Sequence, residues 1–459
     1  MQRLYKLIVF MLVSFAYLPI LQAETLAPGE SLRTYTFRGY NPPKINDGAY
    51  PTGGLLRQKT ADGHVYYGVT DQGGNRNAGS VYMIYKDLQT NKLKDKIIYN
   101  FWGEFQKPNG EYDVGCPNGR LTMDSAGALW GAALVGGWSQ DHRINYANGG
   151  IFKLVPTSDG HWREKVMVPF SVDVGFGTAF VSSLTQDQYG NMYGVVSGLP
   201  GENNDGPGYA FQIDVQTDGL DHPHLNIIHV FGTSSPLNNA SGVYGPITIR
   251  DDGSSIHLYG LTGAGCLGNG GIYELVTPKD QVLANKWQYS NLYSFPSTDV
   301  GYSGLGALTL YRTAAGWSLL GTALYTPANH NLYRGEVFSV SLPIDSTPAQ
   351  LTAIYKVTEG AWAPVSGVGV GATGDLYTTF MNDYSEVGRV VQLKPPSTEG
   401  APWSSTELYR FNNQSWPDSD APLVISLSNG LDFVSDAISS TGVGFNTLNG
   451  GVYEIHIPQ

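Results

Sequence analysis

Two stretches of this chain gather side chains that can move a proton beside a negative charge. The first is Trp138-Ser139-Gln140-Asp141-His142-Arg143-Ile144-Asn145-Tyr146, and the second runs from Tyr325-Thr326 through Asn329-His330-Asn331 to Tyr333-Arg334. An imidazole titrates near neutrality, a phenol has a proton to give, and a guanidinium keeps its charge at any working pH. Together they can supply a general base, a general acid and a clamp for a carboxylate. A solvated loop histidine is the plainer reading of either stretch alone. The shared composition of the two favours a site.

Other chemistries leave weaker traces. His-x-x-x-His, Cys-x-x-Cys and EF-hand spacings are missing, so no metal site is evident and no cofactor is expected. Glu202 and Asp205 fit either a calcium site or a solvated turn. No Gly-x-Ser-x-Gly elbow frames a serine nucleophile. The acids Asp113, Asp141, Glu202, Asp299, Glu359 and Asp420 can include a carboxylate pair for glycoside hydrolysis, whose separation the sequence does not give.

These residues need a frame, and the chain supplies one by repetition. A Tyr-x-Phe type strand occurs at Tyr35-Phe37, Tyr99-Phe101, Val168-Phe170, His229-Phe231, Tyr293-Phe295, Tyr355-Val357 and Tyr409-Phe411. A partner strand centres on Tyr82, Phe152, Phe211, Tyr273, Phe338, Val391 and Tyr453. A spacing of roughly 60 residues with about four short strands per unit is a propeller-blade signature. The expected fold is all-β: a seven-bladed β-propeller whose N-terminal outer strand closes the ring against the three C-terminal strands. Closure removes the sheet edges that an open stack would expose. Asp124 to Gly127 and Asp187 to Gly190 read as hairpin turns between the first two strands of a blade.

In such a fold the connections between blades, and those between second and third strands, open on one face. His142 and His330 fall there. The remaining histidines fall in strands or near opposite-face turns. The lead-ins to the innermost strands carry Tyr50, Phe176, Tyr244, Tyr302 and Trp362. Aromatic rings there suit the apolar faces of sugars, and they suit equally a plug that packs the channel.

Composition agrees with many strands and turns: charged residues are 14%, with 58 Gly and 29 Tyr. A net charge of −12 argues against a nucleic-acid role, and mildly against a polyanion unless the open face is locally basic. Arg3 and Lys6, the apolar run Leu7 to Leu21, and Gln22-Ala23 read as a signal peptide over 1–23, ahead of one domain over 24–459. The run is short for a spanning helix, so a secreted or periplasmic protein without membrane insertion is expected. Cys116 and Cys266 fit one bridge or two buried thiols.

The phrases Tyr67-Gly68-Val69-Thr70-Asp71-Gln72-Gly73-Gly74 and Tyr259-Gly260-Leu261-Thr262, followed by Gly270-Gly271-Ile272-Tyr273, resemble the GloVer-type tandem repeats of secreted bacterial proteins. The resemblance spans nearly the whole of 24–459 and implies a propeller and export. Copies at Leu320-Gly321-Thr322 and Phe433-Val434-Ser435 depart from the pattern. The architecture is also similar to that of seven-bladed polysaccharide lyases, including ulvan lyases, which use His, Tyr and Arg. That similarity implies β-elimination from a uronate-containing polysaccharide. The roles expected here are His142 as base or acid, Tyr244 as proton partner, and Arg143 or Arg334 as carboxylate clamp. His330, Tyr50, Tyr146, Tyr302 and Trp362 are expected to contact substrate, with Arg334. A non-catalytic glycan- or protein-binding propeller and a two-carboxylate glycoside hydrolase stand as alternatives.

Overall fold

The computed structural model describes residues 25–26, 31–41, 45–61, 63–90, 92–103, 105–137, 149–170, 180–181, 183–197, 208–214, 223–232, 241–264, 270–284, 286–295, 300–313, 316–326, 334–343, 348–357, 362–364, 366–371, 373–382, 388–398, 401–410, 415–416, 424–427, 431–439 and 451–457. The fold is an all-β propeller, and the expected count of seven blades is corrected to six. Five of the six are antiparallel sheets each built from one continuous stretch of chain, and the sixth adds Thr25–Leu26 at its outer edge, paired with Arg410 and Tyr409. The first comprises Gly48–Thr60, Gly63–Gly73, Ser80–Lys86 and Leu93–Asn100, from the axis outward. The others follow over 114–169, 180–230, 241–294, 300–356 and 362–410. The sheet left over is a composite of both chain ends, in the order Ser31–Thr36, Gly451–Ile457, Leu431–Ser439. Its inner edge is split between Ser415–Trp416 and Val424–Leu427. One signal of each series, Tyr35-Phe37 and Tyr453, meets the other in this discontinuous sheet, as expected of the outer strand and the C-terminal strands, and this sheet is the difference between seven signals and six blades. It lies between the sixth blade and the first, with Thr34 paired to Tyr453.

The repeated phrase has a packing cause. In five blades a glycine of the second strand is paired with an aromatic of the third: Gly68 with Tyr82, Gly131 with Phe152, Gly194 with Phe211, Gly260 with Tyr273 and Gly321 with Phe338. The ring folds back over its partner, so a Cβ on Gly68 would sit 2.3 Å from the Tyr82 hydroxyl and one on Gly131 would sit 2.4 Å from Phe152 Cζ. The sixth blade changes both members at once, pairing Thr378 with Val391. A smaller side chain on one strand removes the need for glycine on the other.

The Tyr-x-Phe strands join neighbours. Phe37 packs edge-on against Tyr82, Phe101 against Phe152, Phe231 against Tyr273 and Phe295 against Phe338, with centroids 4.8, 4.9, 4.9 and 5.6 Å apart. Each ring pair adds about 0.5–1.5 kcal/mol beyond its buried area, more than most exposed ion pairs supply.

At the axis the innermost strands touch directly. Thr122 donates its hydroxyl to the Leu184 carbonyl, Thr185 to that of Ile247 at 2.7 Å, Thr248 to that of Leu308 at 2.5 Å and Thr309 to that of Val368 at 2.6 Å. One hydroxyl therefore links each blade to the next from the second to the sixth. The expected hairpins hold, with the Gly127 and Gly190 N–H groups bonded to the carbonyls of Asp124 and Asp187. Among the described residues no helix is long and apolar enough to cross a membrane.

Candidate functional site

The strongest cluster lies where the fifth and sixth blades meet the open face. Trp362 opens Trp362–Pro364, Arg389 is second in Gly388–Lys394, and Arg410 ends Ser404–Arg410. Antiparallel pairing of Trp362 with Asn382, Gly388 with Met381 and Arg389 with Arg410 brings these ends to one edge. The Arg389 guanidinium lies over the Trp362 ring, 4.1 Å from its centroid, and 5.2 Å from that of Phe380. Arg410 approaches Trp362 from 5.5 Å. Glu407 accepts from Arg410 Nε and Nη2 at 2.7 and 2.6 Å and stands 3.7 Å from Arg389 Nη1.

Arg334 heads the third strand of the fifth blade, Arg334–Ser341, paired with Tyr325. A Cβ on the next residue, Gly335, would sit 1.7 Å from Pro364 Cδ. Close approach of these backbones sets Arg334 beside the strand that carries Trp362. Among the described residues, neither the buried Nε–H of Arg334 nor that of Arg389 has an acceptor. A buried donor left unpaired costs free energy that only a missing partner recovers. Burial also pulls the Arg389 pKa down. Among the described residues, three guanidiniums gather near one carboxylate and a half-buried indole, which suits an anionic ring.

A second group sits at the mouth of the channel on the first and second blades. Tyr50 and Cys116 occupy matching places, each before a proline, with φ of 56° and 51°. Non-glycine residues in that region carry strain and concentrate at functional sites. Between them lies Asp71, raised by burial although Cys116 and Gln72 hydrogen-bond to it. Burial first, and Asp71 second, raise the Tyr50 pKa, so its hydroxyl keeps its proton and serves as a donor.

Of the expected site residues, Arg334 and Trp362 are brought to the same pair of blades, and Tyr50 stands at the channel mouth of the first. Tyr244 pairs with Leu261, and Tyr302 lies within Val300–Thr313. His142, Arg143, Tyr146 and His330 lie outside the described residues, as do Cys266, Asp141, Glu202, Asp205, Asp299, Glu359 and Asp420. Arg389, Arg410 and Asp71 were not singled out from sequence. Their only signal is an arginine or aspartate at the open end of a strand.

Asp113, expected among the acids of the open face, is fully buried at 0% exposure. It accepts from the Tyr99 hydroxyl at 2.7 Å, from Trp102 N–H at 3.0 Å and from Val114 N–H at 2.8 Å. Lys107 lies 3.9 Å from Asp113 and 2.5 Å from Glu164 on the second blade. The same latch joins Tyr35, Asp47 and Arg38 one blade earlier. These carboxylates hold blades together.

Burial, with Asp113 adding to it, pushes the Glu164 pKa up from 4.5 to about 8. The folded state then binds this proton more tightly than the unfolded chain does. The stabilising contribution is full below the unfolded value and is lost as pH rises toward about 8. Glu164→Gln, which imitates the protonated acid, is expected to match the native protein near pH 5, to flatten this fall, and to unfold at higher temperature on the alkaline side. Scanning calorimetry across pH checks it. A variant less stable under alkaline conditions would mean that ionised Glu164 and Lys107 form the stabilising pair.

No family model matches the chain, and no curated protein sequence does. Its fold is similar to two structures of a polysaccharide lyase described as a PL25 ulvan lyase, one of them bound to -[GlcA(1-4)Rha3S]-. The TM-scores are 0.52 and 0.53 at 9% identity, over 93% of this chain and 96% of the other. An α-L-arabinanase of Penicillium chrysogenum gives 0.41 at 10% identity, over 92% and 98%. At 9% identity the likeness to the lyase shows a common propeller fold.

Proposed function

We propose that this protein is an exported polysaccharide lyase that cleaves a uronate-containing chain by β-elimination. The observation that carries the reading is the cluster of Arg334, Trp362, Arg389 and Arg410, with two buried Nε–H groups that have no acceptor among the described residues. A uronate offers the carboxylate those donors lack and a ring face for the indole. The fold likeness to a lyase bound to a GlcA-containing oligosaccharide supports the same substrate class.

In the proposed reaction a base takes the proton from C5, the electron pair forms the C4–C5 double bond, and the C4–O bond breaks. A proton goes to the leaving oxygen. Negative charge builds on the carboxylate as the proton departs, so a guanidinium there stabilises the transition state more than the ground state. Arg334 is assigned that clamp, with Arg143 the other candidate. His142 is the base or acid, Tyr244 its proton partner, and Tyr50 a donor to a sugar hydroxyl. His330, Tyr146, Tyr302 and Trp362 complete the proposed contacts.

The protein without residues 1–23, incubated with a panel of uronate polysaccharides, is expected to raise the near-ultraviolet absorbance of unsaturated uronate ends with at least one. His142→Ala is expected to abolish the rise. Binding of a uronate chain with no absorbance rise would favour the non-catalytic reading instead.

A further inference from the structure

We infer a separate binding site for an anionic sugar on the first blade, centred on Arg76 stacked against Trp102. A cavity of about 520 Å³ is lined by Asn75, Arg76, Asn100, Phe101, Trp102 and Phe105. That volume is ordinary for a small-molecule site. Asn75 and Arg76 belong to the connection between Gly63–Gly73 and Ser80–Lys86, and Trp102 and Phe105 follow Leu93–Asn100 toward the second blade. Both connections lie on the open face. The inference rests on the saccharide reading above and adds to it a second place where the chain is held.

The pocket is fixed from below. Asp113 holds Trp102 through its N–H, Asn100 Oδ1 accepts from Asn75 N–H at 3.2 Å, and Asn77 Oδ1 accepts from Gly73 N–H at 3.0 Å. A Cβ on Gly74 would lie 2.6 Å from Asn100 Oδ1, so this glycine lets the connection close over the amide. The Arg76 guanidinium then lies 3.9 Å from the Trp102 centroid and 5.3 Å from that of Phe105. Stacking occupies the faces of a guanidinium and leaves its N–H edges to a ligand. The Asn100 oxygen accepts from Asn75 N–H, so the donors this lining side chain has to offer a ligand are its amide hydrogens.

Phe105 is 57% exposed and adds accessible ring surface to the lining. The described lining therefore offers donors, one positive charge and aromatic surface, with no anionic group. A sugar ring bearing a carboxylate or a sulfate matches all three.

The test uses the protein in a Trp362→Ala background, which removes the ring face expected to carry ground-state binding at the other cluster, and titrates it calorimetrically. The probes are an oligouronate, a sulfated galactan oligosaccharide, a neutral cello-oligosaccharide and an oligoglutamate peptide. One anionic saccharide is expected to bind, and the better of the two identifies carboxylate or sulfate as the ligand group. Arg76→Ala is expected to weaken it about tenfold to a hundredfold. Arg76→Lys is expected to recover part of that, since it restores charge without the stack. Binding that vanishes with Trp362→Ala alone, that survives Arg76→Ala, or that prefers the peptide or the neutral sugar overturns the site. Turnover by the unmutated protein is read separately. Arg76-dependent binding without any absorbance rise keeps this site and discards the lyase reading.

Discussion

Arg334→Ala is expected to cut turnover of a uronate polysaccharide by about a hundredfold to a thousandfold, the range seen when one donor to a developing oxyanion is removed. The fold should barely notice. The Arg334 Nε–H is buried and has no acceptor among the described residues, so its removal breaks no bond with them. The loss should fall mainly on kcat, because the carboxylate gains charge only as the C5 proton leaves. Trp362→Ala, by contrast, should raise KM, since a ring face binds ground and transition states alike. Steady-state kinetics with the absorbance assay, beside a thermal melt, separate these outcomes. Turnover within a few-fold of native would move the clamp to Arg143.

The largest structural effect is expected from Gly53→Ala. Gly53 has φ of 75°, and a Cβ on it would lie 2.0 Å from the backbone carbon of Gly119 on the second blade. An alanine there adds left-handed strain of about 1–2 kcal/mol and forces two innermost strands apart. Backbone cannot rotate away as a side chain can, and a total loss of about 4–5 kcal/mol is expected. Gly127→Ala is the control. Gly127 has φ of 80° in a hairpin turn, and nothing stands within 4 Å of its added Cβ. It should lose only the strain. Urea unfolding of both variants isolates the contact between blades, and equal losses would show that the axis tolerates expansion.

Much of the frame was legible because its packing rule pairs residue types. Gly68 with Tyr82 and Gly260 with Tyr273 leave a mark in the sequence that survives any change of loop. Val391 and Thr378 obey the same rule with smaller members, so that copy reads as degenerate while its sheet is regular. The blade count failed where pairing ignores chain order, in the sheet shared by both ends. The candidate site was legible in part. Arg334 and Trp362 stood out by position, at a strand head and a channel lead-in. Arg389 and Arg410 did not, since nothing local distinguishes an arginine that will meet an indole across two strands. Asp113 was misread for a related reason: its place on the open-face connection is as expected, and its side chain turns inward to Tyr99 and Trp102.

Strand Gly451–Ile457 sits between Ser31–Thr36 and Leu431–Ser439. The earliest of these three neighbours is made long before the middle one exists. Throughout synthesis, Ser31–Thr36 therefore keeps an unmet ladder of N–H and C=O groups, and the first blade lacks one flank. Such edges recruit other chains. Pairings of this sequence separation also form slowly. The birth of this protein thus contains a vulnerable interval whose length is set by the ribosome. It closes only when Gly451–Ile457 emerges, and a holdase that shields nascent strand edges until then would serve this chain more than one that hides apolar patches.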